Sequence, residues 1–207
     1  MVFPIAGGTQ STGYDVDNSV RFDGNAVLAR TPSSGGNRRT WTWSCWLKKC
    51  KNATRQEILS VNGATNNDDH MSLRFDSDDK FTFAMYSSDI FTTTQLFRDT
   101  HAWFHMVLAV DTTQGTDSNR VKLYINGTQV TNFGANNLPD QNKDFALNHT
   151  FEHEIGRLAL TDNYEYNGYM AEVNLIDGSQ YDPTYFGKFD ENNVWVQPKI
   201  GASHEGA

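Results

Sequence analysis

Residues 103–130, WFHMVLAVDTTQGTDSNRVKLYINGTQV, carry the clearest structural signal in this chain. Apolar side chains recur at every second position in both halves of the stretch, the period of a strand that turns one face to a core. These positions are Phe104, Met106, Leu108 and Val110 in the first half and Val121, Leu123 and Ile125 in the second. Asn126-Gly127 is typical of a type I′ hairpin turn, so a third strand is expected at Thr128–Phe133.

The same alternation continues on both sides of this hairpin. Trp41, Trp43, Cys45 and Leu47 alternate with polar residues and Trp46, which predicts a strand with an aromatic inner face. Further strands are expected at Ser19–Ala29, Glu57–Val61, Met71–Phe75, Lys80–Tyr86, Ile90–Phe97, Glu154–Leu160 and Gly168–Ile176. Turn residues separate these strands at intervals of about 8–12 residues, and no long amphipathic helix is evident. The pattern predicts an all-β, antiparallel, two-sheet sandwich or barrel.

Length and composition narrow the class of protein. The 207 residues suit one all-β domain at 18–177, flanked by an N-terminal arm at 1–17 and a C-terminal arm at 178–207. The net charge of −8 argues against a nucleic-acid partner, because such a partner needs a basic surface. Neither a transmembrane run nor a signal peptide is visible, so a membrane partner is not expected. Cys45 and Cys50 are expected to be free thiols, with Cys45 buried.

Six segments carry a resemblance to a known family. They are SVRFDG, WTWSCWLK, WFHMVLAV, VKLYINGTQV, EIGRLAL and NGYMAEVNLID. Their order resembles the laminin G-like members of the concanavalin A-like lectin/glucanase superfamily, over about 160 residues. The resemblance implies a concanavalin A-like jelly roll, with Glu172 matching an acidic residue that such families show in the last strand.

The closing segment, VNLIDGSQYDPTYFGKFDENNVW, resembles the end of laminin G-like proteins of tailed bacteriophages, especially marine ones. That resemblance implies a virion protein, such as a capsid decoration, a fibre module or a tail-associated adhesin. The chain would then be made in the host cytoplasm and attach to capsid or tail subunits, as a homo-oligomer. A carbohydrate-binding adhesin is the alternative function, and a glycoside hydrolase is a remote third.

No enzymatic activity is expected from the sequence. Related glucanases use carboxylates that alternate along one strand, and the nearest candidates here are Glu152 and Glu154. His153 stands between them and no further acidic residue follows before Gly156, so a solvated strand end is the better interpretation. The chain has no serine-nucleophile elbow and no metal-binding histidine spacing. His105 is expected to be a packed, hydrogen-bonded residue on the face opposite the core.

Two polar segments contain the hard oxygen ligands that calcium prefers. The first contains Asn66, Asp68 and Asp69, and the second contains Asp76, Asp78 and Asp79. Turns also favour Asp and Asn, so turn chemistry is the competing explanation for both segments. No cofactor is expected, and calcium is a weak candidate in the first segment.

Exposed aromatic residues are candidates for binding a glycan. The best group is Tyr164, Tyr166 and Tyr169 with Asn163 and Asn167, in and beside a polar turn. Aromatic faces would stack on the sugar ring and the amides would bind its hydroxyl groups. The competing interpretation places one or two of these tyrosines under the rim of the sandwich.

Both arms contain large apolar residues that must be covered by protein, either their own sandwich or another subunit. Docking to another subunit is the favoured hypothesis, because the sandwich already has a core. The candidate docking residues are Phe3, Ile5, Tyr181, Tyr185, Phe186, Phe189 and Trp195.

Overall fold

The computed structural model describes residues 18–63, 69–86 and 88–197, whose regular secondary structure is almost entirely β-strand. In chain order these are β1 (Val20–Asp23), β2 (Leu28–Arg30), β3 (Thr40–Lys49), β4 (Gln56–Asn62), β5 (His70–Phe75), β6 (Lys80–Met85), β7 (Asp89–Leu96), β8 (Phe104–Asp111), β9 (Val121–Ile125), β10 (Thr128–Val130), β11 (Phe133–Asn136), β12 (Glu152–Ile155), β13 (Asn167–Asp177), β14 (Lys188–Phe189) and β15 (Trp195–Val196). Within these ranges the helical parts are two 3₁₀ turns, at Asp117–Asn119 and Pro183–Tyr185.

The strands form two large antiparallel sheets and a small ribbon. The first sheet has the order β1-β13-β3-β8-β9-β10, and the second has the order β11-β7-β6-β5-β4-β12-β2. β14 and β15 pair with each other beyond the last strand of the first sheet. This architecture confirms the predicted antiparallel two-sheet jelly-roll sandwich. Each sheet has one apolar face, and the two faces are buried against each other.

The hairpin quoted first lies inside the first sheet, where β8 pairs with β9. Leu108 lies opposite Leu123 and Met106 lies opposite Ile125, so the apolar positions of both strands share one face. Asn126 and Gly127 have φ values of 47° and 76°, as the predicted type I′ turn requires. The Asn126 side chain also accepts a hydrogen bond from the His105 backbone N–H at 2.8 Å, which fixes the end of the hairpin.

The core fills the space between the sheets. Seven residues predicted to point inward are at most 8% exposed: Trp43, Leu47, Met106, Leu108, Val110, Leu123 and Ile125. Phe145 lies in the long, mostly polar loop between β11 and β12. Its side chain is fully buried, and its ring centroid lies 5.1 Å from that of Phe83. The loop therefore contributes to the core, because its buried Phe145–Leu147 run interrupts an otherwise polar connection.

Most predicted strands lie within one residue of the observed strands, and three differ more. The segment Ser19–Ala29 forms two strands, β1 and β2, which belong to different sheets. The strand expected at Glu154–Leu160 runs instead from Glu152 to Ile155, since Gly156 has a φ of 92° and begins a turn. The strand expected to end at Phe133 ends at Val130, and Phe133 starts β11 in the other sheet. No helix among the residues described here has the length and apolarity needed to span a membrane.

Candidate functional site

The three tyrosines predicted as one glycan-binding cluster lie in different environments. Tyr166 is fully buried and packs edge-to-face on Phe22 at 6.0 Å, so its assignment to a glycan site was wrong. Burial also raises the pKa of the Tyr166 phenol well above its ordinary value. The ring belongs to the core because it alternates with Gly168 and Met170, the inward positions of β13.

Tyr164 lies at the surface and is 40% exposed. The Arg55 guanidinium lies 4.3 Å from its ring centroid, and Arg55 also forms an ion pair with Glu57 at 2.6 Å. The Tyr164 carbonyl accepts a hydrogen bond from the Glu57 N–H at 2.8 Å, and its φ of 59° marks a tight turn. Tyr164 therefore offers one exposed ring face at most, because the cation covers the other.

Tyr169 belongs to a second aromatic surface on the outside of the first sheet. Its ring lies 6.2 Å from the Trp103 ring, and Trp103 is 38% exposed. Arg21 and Lys48 place their cationic groups 5.0 and 5.9 Å from the Tyr169 ring centroid. We call Trp103, Tyr169, Arg21 and Lys48 the aromatic–cationic patch.

Sequence reasoning missed three members of this patch. The register of the first sheet brings them together, since both Arg21 and Lys48 lie opposite Tyr169 in the flanking strands. Cross-strand neighbours on one face interact in this way, but they can be found only when the register is known. The sequence carried one signal for this patch: the alternation along β3 places the Lys48 side chain on the outward face.

The two predicted amides have structural partners. Asn167 accepts a hydrogen bond from Arg21 at 3.1 Å, and its backbone N–H donates to the Gln56 side chain at 2.9 Å. Asn163 accepts from the Thr161 hydroxyl at 2.6 Å and pairs with Leu158 as an isolated bridge. Both amides stabilise the turn that precedes β13.

The calcium hypothesis gains no support from the acidic side chains that are described. Asn66 and Asp68 lie outside the described residues, and Asp69 stands at the edge of β5. In the second segment Asp76 binds Arg74 at 2.7 Å, and Asp78 binds Lys80 at 2.7 Å. Within the described ranges no group of three His, Cys, Asp or Glu residues is arranged to hold a metal ion.

Asp79 forms a buried ion pair with Lys49 instead. Its carboxylate lies 3.0 Å from the Lys49 ammonium, and both side chains are almost completely buried. The Phe97 carbonyl accepts a second hydrogen bond from Lys49 at 2.9 Å, and the Phe75 ring lies 4.7 Å from the ammonium. Burial lowers the pKa of Lys49, while its hydrogen bond to Asp79 opposes that shift. Because its oxygens already have cationic partners, Asp79 is a structural residue.

The carboxylates considered for hydrolysis do not share one environment. Glu152 is exposed, whereas Glu154 is 1% exposed and binds Arg157 through both of its oxygens, at 2.5 and 2.9 Å. The expectation of a solvated strand end is therefore wrong for Glu154. Arg157 also lies 3.0 Å from Asp162, so Glu154 joins a network that holds the turn after β12.

His105 is packed and hydrogen-bonded, as predicted. It is 1% exposed, its Nε2 lies 2.8 Å from the Ser44 hydroxyl, and its Nδ1 accepts from the Trp195 indole N–H at 3.1 Å. An indole N–H can only donate, so Nδ1 must be the unprotonated nitrogen and Nε2–H donates to Ser44. Burial lowers the pKa of His105 to about 4, which keeps the ring neutral near neutral pH.

The residues after β13 cover this histidine and the outer face of β3 and β8. Tyr181 N–H donates to the Thr42 hydroxyl at 2.8 Å, and the Gln180 amide donates to the Asn119 carbonyl at 2.9 Å. The Trp195 ring stacks on His105 at 6.0 Å and is 6% exposed. We call residues 178–197 the covering segment, because it buries part of the sandwich to which it is attached.

The candidate docking residues therefore divide into three groups. Phe3 and Ile5 lie outside the described residues. Trp195 is buried in its own chain, so the prediction that it docks on another subunit was wrong. Tyr185 and Phe189 remain 44% and 46% exposed, with Tyr181 stacked on Tyr185 at 3.9 Å and Phe186 5.5 Å from the same ring. The exposed aromatic surface of the covering segment is made by Tyr181, Tyr185, Phe186 and Phe189.

Cys45 and Cys50 are free thiols, and Cys45 is buried, as predicted. Burial raises the pKa of the Cys45 thiol, which suits a small core residue better than a nucleophile.

Comparisons with known proteins agree with this architecture. A model of the Laminin_G_3 family, described as the concanavalin A-like lectin/glucanases superfamily, matches residues 20–195. The matched range extends beyond β13 and includes most of the covering segment. None of the curated proteins matches the chain in sequence.

Several solved structures share the fold at low sequence identity. A SAP-like pentraxin from Limulus polyphemus is 17% identical, with a TM-score of 0.53 over 78% of this chain and 77% of that chain. The CBM40 of Ruminococcus gnavus IT-sialidase is 15% identical, with a TM-score of 0.56 over 81% and 94% of the two chains. Mouse laminin alpha1 domains LG4-5 are 16% identical, with a TM-score of 0.53 over 76% of this chain and 40% of that chain. At these identities the similarity shows the fold.

Proposed function

Since the chain belongs to the concanavalin A-like lectin/glucanase superfamily, whose fold serves binding as well as structural roles, we propose that it is a non-enzymatic attachment module of a bacteriophage virion. In this role it is a capsid decoration or a fibre module, fixed to other virion subunits through its terminal segments. The closing segment, residues 173–195, supports this proposal through its resemblance to the ends of phage laminin G-like proteins.

The observation that carries the proposal is the exposed aromatic surface of the covering segment. Tyr185 and Phe189 are nearly half exposed on a segment whose Trp195 is buried against the sandwich. The segment is therefore held in place by its own chain while it presents apolar rings outward. Such a rigid, aromatic surface suits a permanent protein contact, since Tyr and Phe are enriched at the centres of interfaces.

The experiment compares purified phage particles with particles assembled from variants. The protein should be present in stoichiometric amounts in the wild-type particle. Tyr185→Ser with Phe189→Ser should reduce that occupancy, because the contact loses both rings. Tyr86→Ser is the matched control, since Tyr86 is 56% exposed on the other sheet. Absence of the protein from purified particles, or full occupancy by the double variant, would contradict this proposal.

Carbohydrate binding is the second candidate function, and the aromatic–cationic patch supports it. The exposed Trp103 ring lies beside the partly exposed Tyr169 ring, and Arg21 and Lys48 add positive charge next to Tyr169. This chemistry fits a glycan with a carboxylate group, where the rings cover the sugar and a cation pairs with the acid. The fold neighbour from Ruminococcus gnavus has been solved with sialyllactose bound, which makes an acidic sugar a reasonable probe.

Titration with 3′-sialyllactose and with lactose tests this second function. We expect binding of the acidic sugar to exceed binding of lactose, and Tyr169→Ala or Arg21→Gln to weaken it. Tyr164→Ala is the control, because its ring lies in a different part of the surface. Equal affinity for both sugars would contradict recognition of the acid group by the patch. Binding that survives Tyr169→Ala and fails with Tyr164→Ala would move the site to the other tyrosine.

A further inference from the structure

An apolar groove opens between β13 of the first sheet and β2 of the second. It consists of one cavity of about 440 Å³ and a second of about 310 Å³, and Leu28, Ile155 and Val173 line both of them. Leu28 is 52% exposed and Val173 is 39% exposed, so the groove opens to solvent where the two cavities meet. Both volumes fall in the range of about 300–1,000 Å³ that is typical of pockets for small organic ligands.

The smaller cavity is lined mainly by apolar side chains. Besides the three shared residues, these are Val20, Phe22, Met170 and Ala171. Its polar lining residues are Asn18, Ser19 and Glu172. An aliphatic chain buries apolar surface in such a cavity and needs no hydrogen-bond partner there. Because Glu172 is the one charged residue in this lining, the smaller cavity suits the tail of an amphipathic ligand and repels an acid group.

The larger cavity combines an apolar lining with a cation. Its large apolar side chains, besides the shared ones, are Pro32, Trp43, Leu59, Leu147 and Leu175. Arg30, the last residue of β2, lines the same cavity. Its side chain is exposed and forms neither an ion pair nor a hydrogen bond in the part of the chain that is described. Since the whole chain has a net charge of −8, this unpaired guanidinium is a local attraction for an acid group.

The other titratable side chains of the larger cavity already have partners. His153 donates from Nδ1 to a backbone carbonyl at 2.8 Å, and its Nε2 accepts from the Asn148 backbone N–H at 3.2 Å. Burial also lowers the pKa of His153, so the ring is neutral near neutral pH. The Asp177 carboxylate accepts from a backbone N–H at 2.7 Å and from the Asn148 amide at 3.0 Å. Arg30 is therefore the side chain that can bind the charge of a ligand.

An unpaired hydrogen-bond donor belongs to the lining of the same cavity. Trp43 is 2% exposed, and its indole N–H has no hydrogen-bond partner among the described residues. A buried donor without a partner costs free energy, and an indole nitrogen can only donate. A carboxylate has enough lone pairs to accept from this N–H while it pairs with Arg30. The larger cavity thus offers two groups that both favour an acid.

We propose that this groove binds a long-chain aliphatic carboxylate, of the chemical class of the fatty acids. The carboxylate pairs with Arg30 and accepts from Trp43 in the larger cavity, and the aliphatic chain extends past Val173 into the smaller one. The charges set this direction, because Arg30 lines only the larger cavity and Glu172 lines only the smaller. The inference is independent of both proposed functions, since Arg30 and Trp43 belong neither to the covering segment nor to the aromatic–cationic patch.

Equilibrium dialysis of the full chain against three probes tests the class of ligand. The probes are dodecanoate, hexanoate and dodecan-1-ol, each below the concentration at which it aggregates. We expect one dodecanoate to bind per chain. Its affinity should exceed that of hexanoate by about tenfold or more, because the shorter tail leaves apolar surface of the groove exposed. It should exceed that of the alcohol by about tenfold or more, because the alcohol has no charge to pair with Arg30.

Two variants with matched controls locate the site. Arg30→Gln should remove the preference for the acid over the alcohol. Lys51→Gln should keep that preference, since it removes an exposed positive charge that lines neither cavity. Trp43→Phe should weaken dodecanoate binding by about fivefold or more through loss of the donor. Trp41→Phe should not weaken it, because Trp41 also has a buried, unpaired N–H but lines neither cavity.

Each outcome decides the proposal. Selective binding of dodecanoate that is lost in Arg30→Gln and Trp43→Phe, and kept in both controls, supports it. Absence of dodecanoate binding, or equal affinity for the acid and the alcohol, overturns it. Wild-type affinity and selectivity in either site variant, or an equal loss in its control, also overturns it. If Trp43→Phe does not fold, Arg30→Gln still decides the question, because the Arg30 side chain is exposed.

Discussion

Two regions of the first sheet lie outside the central core, and the described chain covers them to different extents. On the outer face of β3 and β8, Ser44, His105 and Val107 are buried because the covering segment lies over them. At the edge of β13, Val173 and Leu175 are about two-fifths exposed, with a groove beside them. The comparison shows that residues on the outer face of a sheet become buried where another segment of the chain lies over them, as the covering segment does on β3 and β8.

The largest expected effect comes from removing the centre of the covered region. Trp195→Ala should lower the free energy of unfolding by about 3 kcal/mol, because it removes a buried aromatic ring and the indole donor to His105. Tyr185→Ala should cost less than about 1 kcal/mol, since that ring is 44% exposed. Urea unfolding of both variants measures the comparison. A smaller loss for Trp195→Ala than for Tyr185→Ala would show that the covering segment adds nothing to stability.

The second effect is a pH dependence that originates under the covering segment. The pKa of His105 is lowered from its ordinary value of 6.5 to about 4 by burial. Between those values the unfolded chain binds a proton that the folded chain does not, so stability falls as the pH falls from 6.5 to 4. The loss at the lower end of this range amounts to about 3 kcal/mol for a shift of this size.

His105→Gln isolates this contribution. The glutamine amide has an oxygen that accepts a hydrogen bond from Trp195, but it does not titrate. His70 and His153 also have lowered pKa values through burial, and they remain in the variant. We therefore expect the stability of His105→Gln to fall less steeply between pH 6.5 and 4 than that of the wild type. Parallel curves for the two proteins would assign the pH dependence to the other histidines.

The third effect uses two glycines to test how tightly Trp195 is held. A Cβ atom at Gly187 would overlap the Trp195 ring, whereas a Cβ at Gly115 would meet nothing within 4 Å. Gly187→Ala should cost about 1–3 kcal/mol through overpacking, and Gly115→Ala should change stability by less than about 0.5 kcal/mol. Thermal unfolding of both variants provides the measurement. Equal melting temperatures would mean that the ring moves aside at little cost.

The sandwich could be predicted from the sequence because its signals are local. The alternation at Met106, Leu108, Leu123 and Ile125, with the Asn126-Gly127 turn, specifies two strands, their register and the face that they bury. The tyrosine cluster could not be predicted in the same way. Tyr164, Tyr166 and Tyr169 are close in sequence, but the change from turn to strand sends Tyr166 into the core and the others outward.

The surface on which the C-terminal aromatic side chains pack could not be predicted from the sequence either, for a different reason. Their spacing shows that they need cover, but it does not show which surface supplies it. That surface exists only after β3 and β8 pair and place Thr42, Ser44 and His105 side by side on one face. The aromatic–cationic patch depends on pairing as well, since Arg21, Lys48 and Tyr169 come from three strands.

The smallest expected effect concerns the edge of β13. Leu175 is 43% exposed, so Leu175→Ser should lower the free energy of unfolding by only about 1 kcal/mol. Urea unfolding of the wild type and of Leu175→Ser measures this loss. A loss as large as that of Trp195→Ala would mean that the edge of β13 is covered as closely as the outer face of β3 and β8, and the contrast between the two regions of the sheet would then disappear.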